Sequence, residues 1–281
     1  MAREIDALTS PTLKHLRDRW WDESFDAFLD ETLRPRPGCR ILDVGCGAGA
    51  AEVHLGTARL PGVALVGIDI DVARLREARA IAAVRDVALG LVGATAASLP
   101  FVDATFDSAF CVAVLQHLAE PLTAIRELAR VTKPGGRVAV VEPDNDASYW
   151  YSSAGSGASA RRAATVFFDA LERSTGLPTD PVLGPKVPSL CLRAGIQPLA
   201  VRLFPASVSR LGDLSLSMWE ARLLAARRLV ESTTDAGARA SGAEYLACLD
   251  RYAEEASSQG AGFVEIQNTM LVATIGHRVA P

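Results

Sequence analysis

The sequence predicts a doubly wound α/β fold, a largely parallel sheet with helices on both faces, and three observations predict it. Short apolar runs alternate with amphipathic helical stretches from residue 40 to residue 142. The first run, Ile41 to Val44, leads straight into a glycine turn, Gly45-Cys46-Gly47-Ala48-Gly49, which opens a helical stretch. Twenty residues past Gly49, the run Val66-Gly67-Ile68 ends in the carboxylate of Asp69. Strand, glycine turn, helix start and distal carboxylate form the corner at which doubly wound sheets bind nucleotide cofactors.

The elements follow in order. Leu13, Leu16, Trp20, Phe25, Phe28, Leu29 and Leu33 recur at near-helical spacing and predict one or two helices, stopped by Arg34-Pro35-Arg36-Pro37-Gly38. Residues 1–37 therefore read as an N-terminal helical cap ahead of a main domain, 38–281. Strands are predicted at 40–44, 63–69, 88–92, 107–112 and 137–142, with helices at 48–60, 72–85 and 121–131. Asp71 suits the N-cap of the helix from 72. Helices at 158–175 and 186–194 follow. A further pair, 213–232 and 242–257, belongs to an insertion at 206–260 that reads as a lid or a dimer surface. Ser241-Gly242-Ala243-Glu244 predicts a capping box at the start of the second, and Gly260 a stop at its end. Ser152 to Gly157 reads as a short loop.

Composition narrows the function. With 281 residues and 49% hydrophobic content the chain can bury a sizeable core. Twenty-nine basic against 33 acidic residues give a net charge of −4 with no basic block, which argues against nucleic acid and against an anionic membrane surface. No leading apolar segment and no membrane-spanning run is visible, so a cytoplasmic location is expected. Five scattered cysteines, without Cys-x-x-Cys spacing, predict neither a metal site nor a disulfide framework.

Gly45-x-Gly47-x-x-Ala50 fits a dinucleotide pattern loosely, but Asp43 stands two residues before the first glycine, where it would repel a pyrophosphate. No Gly-Lys-Ser/Thr follows, which excludes a P-loop. S-adenosylmethionine (SAM), carrying an ammonium and a sulfonium and no phosphate, suits the acidic corner better.

Five segments in order carry a resemblance: Leu42-Asp43-Val44-Gly45-Cys46-Gly47-Ala48-Gly49; Gly67-Ile68-Asp69-Ile70; Ala96-Ala97-Ser98-Leu99-Pro100-Phe101; Phe106-Asp107 through Val114-Leu115-Gln116-His117; and Lys133-Pro134-Gly135-Gly136-Arg137 leading into Val138 to Pro143. Together they resemble the class I SAM-dependent methyltransferases, in the branch similar to the menaquinone/ubiquinone C-methyltransferases. The resemblance covers residues 40–143 and implies a Rossmann-like seven-stranded sheet of order 3-2-1-4-5-7-6. Its two further strands would lie near 198–204 and 263–275, the last antiparallel.

The resemblance also implies roles. Gly45, Cys46 and Gly47, with Asp43 beside them, would meet the methionine part of SAM. Asp69 would hold the ribose, Ile70 would pack on the adenine, and Thr95 and Ala96 would read the ring's edge. Thr95 departs from the family, in which Asp is frequent at this place; a neutral hydroxyl makes the weaker bond. Cys111 would lie under the methionine chain, and Trp20 in the cap would close over the cofactor. Tyr149, Trp150 and Trp219 are expected around an apolar acceptor. His117 is a candidate general base, with Glu142 and Asp144 as alternatives, although a helix-capping or packing histidine is the favoured reading. The implied activity is methyl transfer to a small molecule, a specialised metabolite or a quinone-like compound, by a cytoplasmic enzyme with the potential to form a homodimer. The alternatives are a SAM-binding isomerase or cyclase and a non-catalytic SAM-binding subunit.

Overall fold

The computed structural model describes residues 21–51, 55, 62–147, 149–176, 180–212 and 216–280. Most of the helix expected at 48–60, and Trp20 with the rest of 1–20, lie outside the described residues. One sheet organises the remainder, with strands β1 (Arg40–Val44), β2 (Ala64–Asp69), β3 (Leu89–Gly93), β4 (Phe106–Val112), β5 (Thr132–Pro143), β6 (Trp150–Ser152), β7 (Ile196–Leu211) and β8 (Val264–Arg278). Their order is β3-β2-β1-β4-β5-β8-β6, with β7 also paired to β8. β1 to β5 pair in parallel, whereas β8 runs antiparallel to β5 and β6. The Rossmann-like order implied by the resemblance is present. The eighth strand is β6, for which the sequence reading gave no strand; Trp150-Tyr151-Ser152 pairs with Glu265-Ile266-Gln267 of β8.

Helices α1 (Glu23–Leu33), α2 (Val72–Val84), α3 (Pro121–Val131), α4 (Gly157–Thr175), α5 (Val187–Arg193), α6 (Leu216–Ser232) and α7 (Ala236–Gln259) complete the architecture. The last begins before the capping box that the sequence suggested. Asp235 caps it, accepting from the Ala238 N–H at 2.8 Å, while the Ser241 hydroxyl donates backward to the Ala238 carbonyl inside the helix. β5 starts five residues earlier than expected. Thr132 pairs with Phe106, and a register shift before Ser108 accommodates the Gly135-Gly136 segment.

The chain divides into two compact units. The first comprises residues 1–146, 180–206 and 270–281, and the second 147–179 and 207–269. In the first unit, Leu42, Val44, Ala109, Cys111, Val138 and Val140 meet Ile125 and Leu128 of α3 on one face of the sheet. Ile41, Phe110, Ala139 and Val141 meet Phe25, Phe28 and Leu29 of α1 on the other. This is the period-2 alternation of strands buried on both faces. The second unit has its own core, in which Trp219, Tyr252 and Phe263 pack with Leu249 and Ala160.

Candidate cofactor site

The site grows from the carboxyl end of β1. The Gly45 and Cys46 N–H groups both donate to the Ile68 carbonyl at 2.8 Å, which bends the chain off the sheet. Gly45 has φ 79° and Gly47 φ 55°, left-handed values that favour glycine. A Cβ on Gly45 would lie 2.3 Å from Val114 Cγ2, so the turn packs tightly against the loop after β4. On Gly47 the nearest atom is Arg74 Nη1 at 3.4 Å. A ligand can therefore approach the Gly47 backbone closely.

Asp69 fixes this turn from the neighbouring strand. Its Oδ2 accepts from the Gly47 N–H and its Oδ1 from the Asp71 N–H, both at 2.9 Å. Asp71 is the cap of α2, as its position suggested, accepting from Ala73 at 2.8 Å. The two aspartates thus divide the work. Asp69 joins the glycine turn to the β2 loop and stays half-buried, with lone pairs left for hydroxyl donors. Ile70 beside it is 65% exposed and presents an apolar surface.

The third motif forms a turn held from α3. Ser98 N–H donates to the Thr95 carbonyl, and Thr95 Oγ1 accepts from Ala97 at 3.3 Å. Glu127 receives the Leu99 N–H at 2.7 Å, while Arg130 donates to the carbonyls of Leu99 and Phe101 and to Asp103. The Arg130 guanidinium, through its hydrogen bond, holds the Glu127 carboxyl below its ordinary range. Sequence reading missed Glu127 and Arg130, although their i,i+3 spacing on a helix was a usable signal. Arg74 was missed as well.

Past β4, Ala113 takes a left-handed φ of 55° and a short 3₁₀ turn, Leu115–His117, follows. Glu142, fully buried at the end of β5, accepts from three successive backbone N–H groups, Val114 at 2.9 Å, Leu115 at 2.7 Å and Gln116 at 3.2 Å. That removes Glu142 from the candidate bases, because its carboxylate builds the loop instead. Asp144 Oδ1 accepts from the Asp146 N–H in a local turn. His117 ends the turn that Glu142 organises and is half-buried.

Three expected site residues sit differently from the sequence reading. The Cys111 side chain is fully buried in the core with Val44 and Val140, so only its backbone can face a ligand; burial pushes its thiol well above the usual range, with Glu142 and Asp43 adding to it. Asp43 is 3% exposed and likewise turned inward. Trp219 is a core residue of the second unit, 4% exposed and edge-on to Tyr252 at 5.3 Å, rather than an open pocket wall. Its helix buries the bulky ring because α6 packs on α7. Trp150, also in that unit, meets the same Tyr252 at 6.3 Å, and Tyr149 is 57% exposed. Among the described residues no group of His, Cys, Asp and Glu side chains is placed to hold a metal ion.

Residues 42–140 match the methyltransferase domain family model. The chain carries a class I SAM-dependent methyltransferase domain. SAM is the cofactor of that domain. An O-methyltransferase of Aspergillus sclerotiorum is 38% identical over 112 residues, 39% of this chain and 42% of its own. A demethylmenaquinone methyltransferase of Corynebacterium kroppenstedtii is 33% identical over 148 residues, 50% of this chain and 59% of its own. The chain thus spans about half the length of the curated relatives it matches. Among solved structures, the cyclase SpnF superposes with a TM-score of 0.54 at 19% identity, covering 92% of this chain and 82% of that one. At that identity the likeness is one of fold.

Proposed function

We propose that this protein transfers a methyl group from SAM to a small-molecule acceptor. One observation carries the reading: the Asp69 carboxylate ties the glycine turn to the β2 loop beside an exposed Ile70. This is the arrangement needed to grip a ribose and cover an adenine. When bound, SAM supplies an electrophilic methyl on its sulfonium. The chain's own groups then bind and orient. Gly47 lets the methionine end approach the backbone, Asp69 accepts from the ribose hydroxyls, and Thr95 with the Ala96 backbone reads the adenine edge. Displacement at an activated carbon asks chiefly for alignment and exclusion of water. The assignment of Glu142 to structure agrees with that modest demand for proton transfer.

For the acceptor, the name of one relative, a demethylmenaquinone methyltransferase, favours a quinone-like compound; a specialised metabolite is the other acceptor proposed. Tyr149 remains the proposed aromatic contact for it. Self-association is proposed through β7, whose Leu199, Val201 and Leu203 lie on one face and are 50%, 48% and 59% exposed. Sedimentation would then show a dimer that Val201→Lys disperses. No described helix is long and apolar enough to cross a membrane.

The test is calorimetric and chemical together. Asp69→Ala should weaken SAM affinity by roughly a hundredfold or more, through loss of two charge-assisted hydrogen bonds worth ~1.5–3 kcal/mol each. Incubation with candidate acceptors should yield a product heavier by one CH₂. Affinity near the parent value in Asp69→Ala would remove that residue from the site.

A further inference from the structure

The second unit contains a charge cluster that cofactor binding does not use. Glu265 on β8 is completely buried. Its Oε1 is hydrogen-bonded by Arg210 Nη1 and approached by Arg222 Nη1 at 3.5 Å, and its Oε2 is bonded by Arg222 Nη1 at 3.1 Å and by the Tyr252 hydroxyl. Because a carboxylate only accepts, Tyr252 donates to Glu265, and the Ser152 hydroxyl 3.0 Å away supplies the donor to Tyr252. Four contacts on two oxygens saturate Glu265. Burial raises its carboxyl, but Arg222, the Tyr252 hydroxyl and Arg210 together hold it below the ordinary range.

The arginines are not saturated. Each guanidinium has five N–H donors in a planar fork. One nitrogen of each faces Glu265; Nε and Nη2 of both bond to no described residue. Two positive charges meet one negative charge, and among the described residues no other acidic side chain pairs with either arginine. A single arginine would neutralise Glu265, so the second is surplus to a purely structural ion pair. Both side chains remain reachable, at 28% and 35% exposure. Arg222 lies 5.2 Å from the centre of the Trp219 ring, whose buried indole N–H also lacks an acceptor among the described residues. Donors in excess, net positive charge and aromatic rings beside them describe a receiver for an oxyanion.

We propose that Arg210 and Arg222, held rigid by Glu265 and Tyr252, form an oxyanion-binding site for a carboxylate- or phosphate-bearing small molecule. The site consists of second-unit residues alone, so it stands or fails independently of methyl transfer.

The experiment follows the indole N–H of Trp219, one of four tryptophans, in ¹⁵N-correlated spectra of the full chain, assigned with Trp219→Phe. Benzoate and inorganic phosphate are the probes, against chloride at matched ionic strength. At least one probe should shift the Trp219 signal saturably, with Kd on the order of 1 mM, and chloride should not. Saturation by benzoate alone assigns the site to carboxylates, by phosphate alone to phosphate esters, and by both to either source. Arg222→Gln and Arg210→Gln should each weaken binding about tenfold or more. Where either glutamine variant fails to fold, Arg222→Lys decides: it keeps the charge against Glu265 but loses the fork, and should still weaken benzoate severalfold. No saturable shift in the parent chain, or parent affinity in the folded arginine variants, overturns the proposal.

Discussion

Glu142 in the first unit and Glu265 in the second are both completely withdrawn from solvent, and they are satisfied by opposite means. Glu142 is surrounded by main chain, three consecutive N–H groups of the loop after β4. Glu265 is surrounded by side chains, two arginines and a tyrosine. The first arrangement consumes all its donors and leaves a fixed loop. The second leaves charge and donors over. A buried acid bonded to backbone is thus a building element, whereas one bonded to arginines can serve as the anchor of a binding surface.

The sharpest way to break this contrast is Glu142→Ala. Three N–H groups, two of them in buried hydrogen bonds, would lose their acceptor at once, and urea unfolding should register a loss of about 3–5 kcal/mol. A loss below ~1 kcal/mol would mean that water replaces the carboxylate readily. Glu265→Gln should cost less, roughly 1–3 kcal/mol, since its arginines are partly exposed and can turn to solvent.

Acid extends the comparison. Glu265, Glu127 and Asp107 all have carboxyls held below their ordinary range in the folded chain. Their stabilisation is therefore fully present above the unfolded-state values near pH 4 and is lost as the pH falls through the folded ones. A melting-temperature profile should decline below about pH 4, and Glu265→Gln should decline less steeply. An identical slope in the variant would remove Glu265 from the acid response.

The smallest expected effect belongs to His117. It rides on the loop that Glu142 builds, and alignment rather than proton removal is the main requirement of the proposed reaction. His117→Ala should lower kcat by less than about tenfold, with SAM affinity unchanged. A loss of ~10³ in a stably folded variant, with the acidic limb of the pH–rate profile abolished, would make it the base.

Legibility in the sequence followed the range of the interactions. Asp71 as the α2 cap and the glycine turn were readable because both are local backbone requirements, a cap oxygen within three residues and positive φ at fixed positions. The five parallel strands were readable because burial on both faces demands unbroken apolar runs. The start of α7 was misplaced by a capping pattern that the longer helix overrode, and β6 was missed because three residues pair only once β8 lies beside them.

The sequence by itself therefore determined the Rossmann-like sheet, the glycine turn and the family resemblance, all written in short-range periodicity and spacing. Only the tertiary structure decided what the buried polar residues do. Glu142 meets backbone 26 to 28 residues away, and Glu265 meets arginines 43 and 55 residues away. Whether a carboxylate becomes a base, a brace or an anchor depends on which donors the fold brings to it, and partners so distant leave no pattern in the chain.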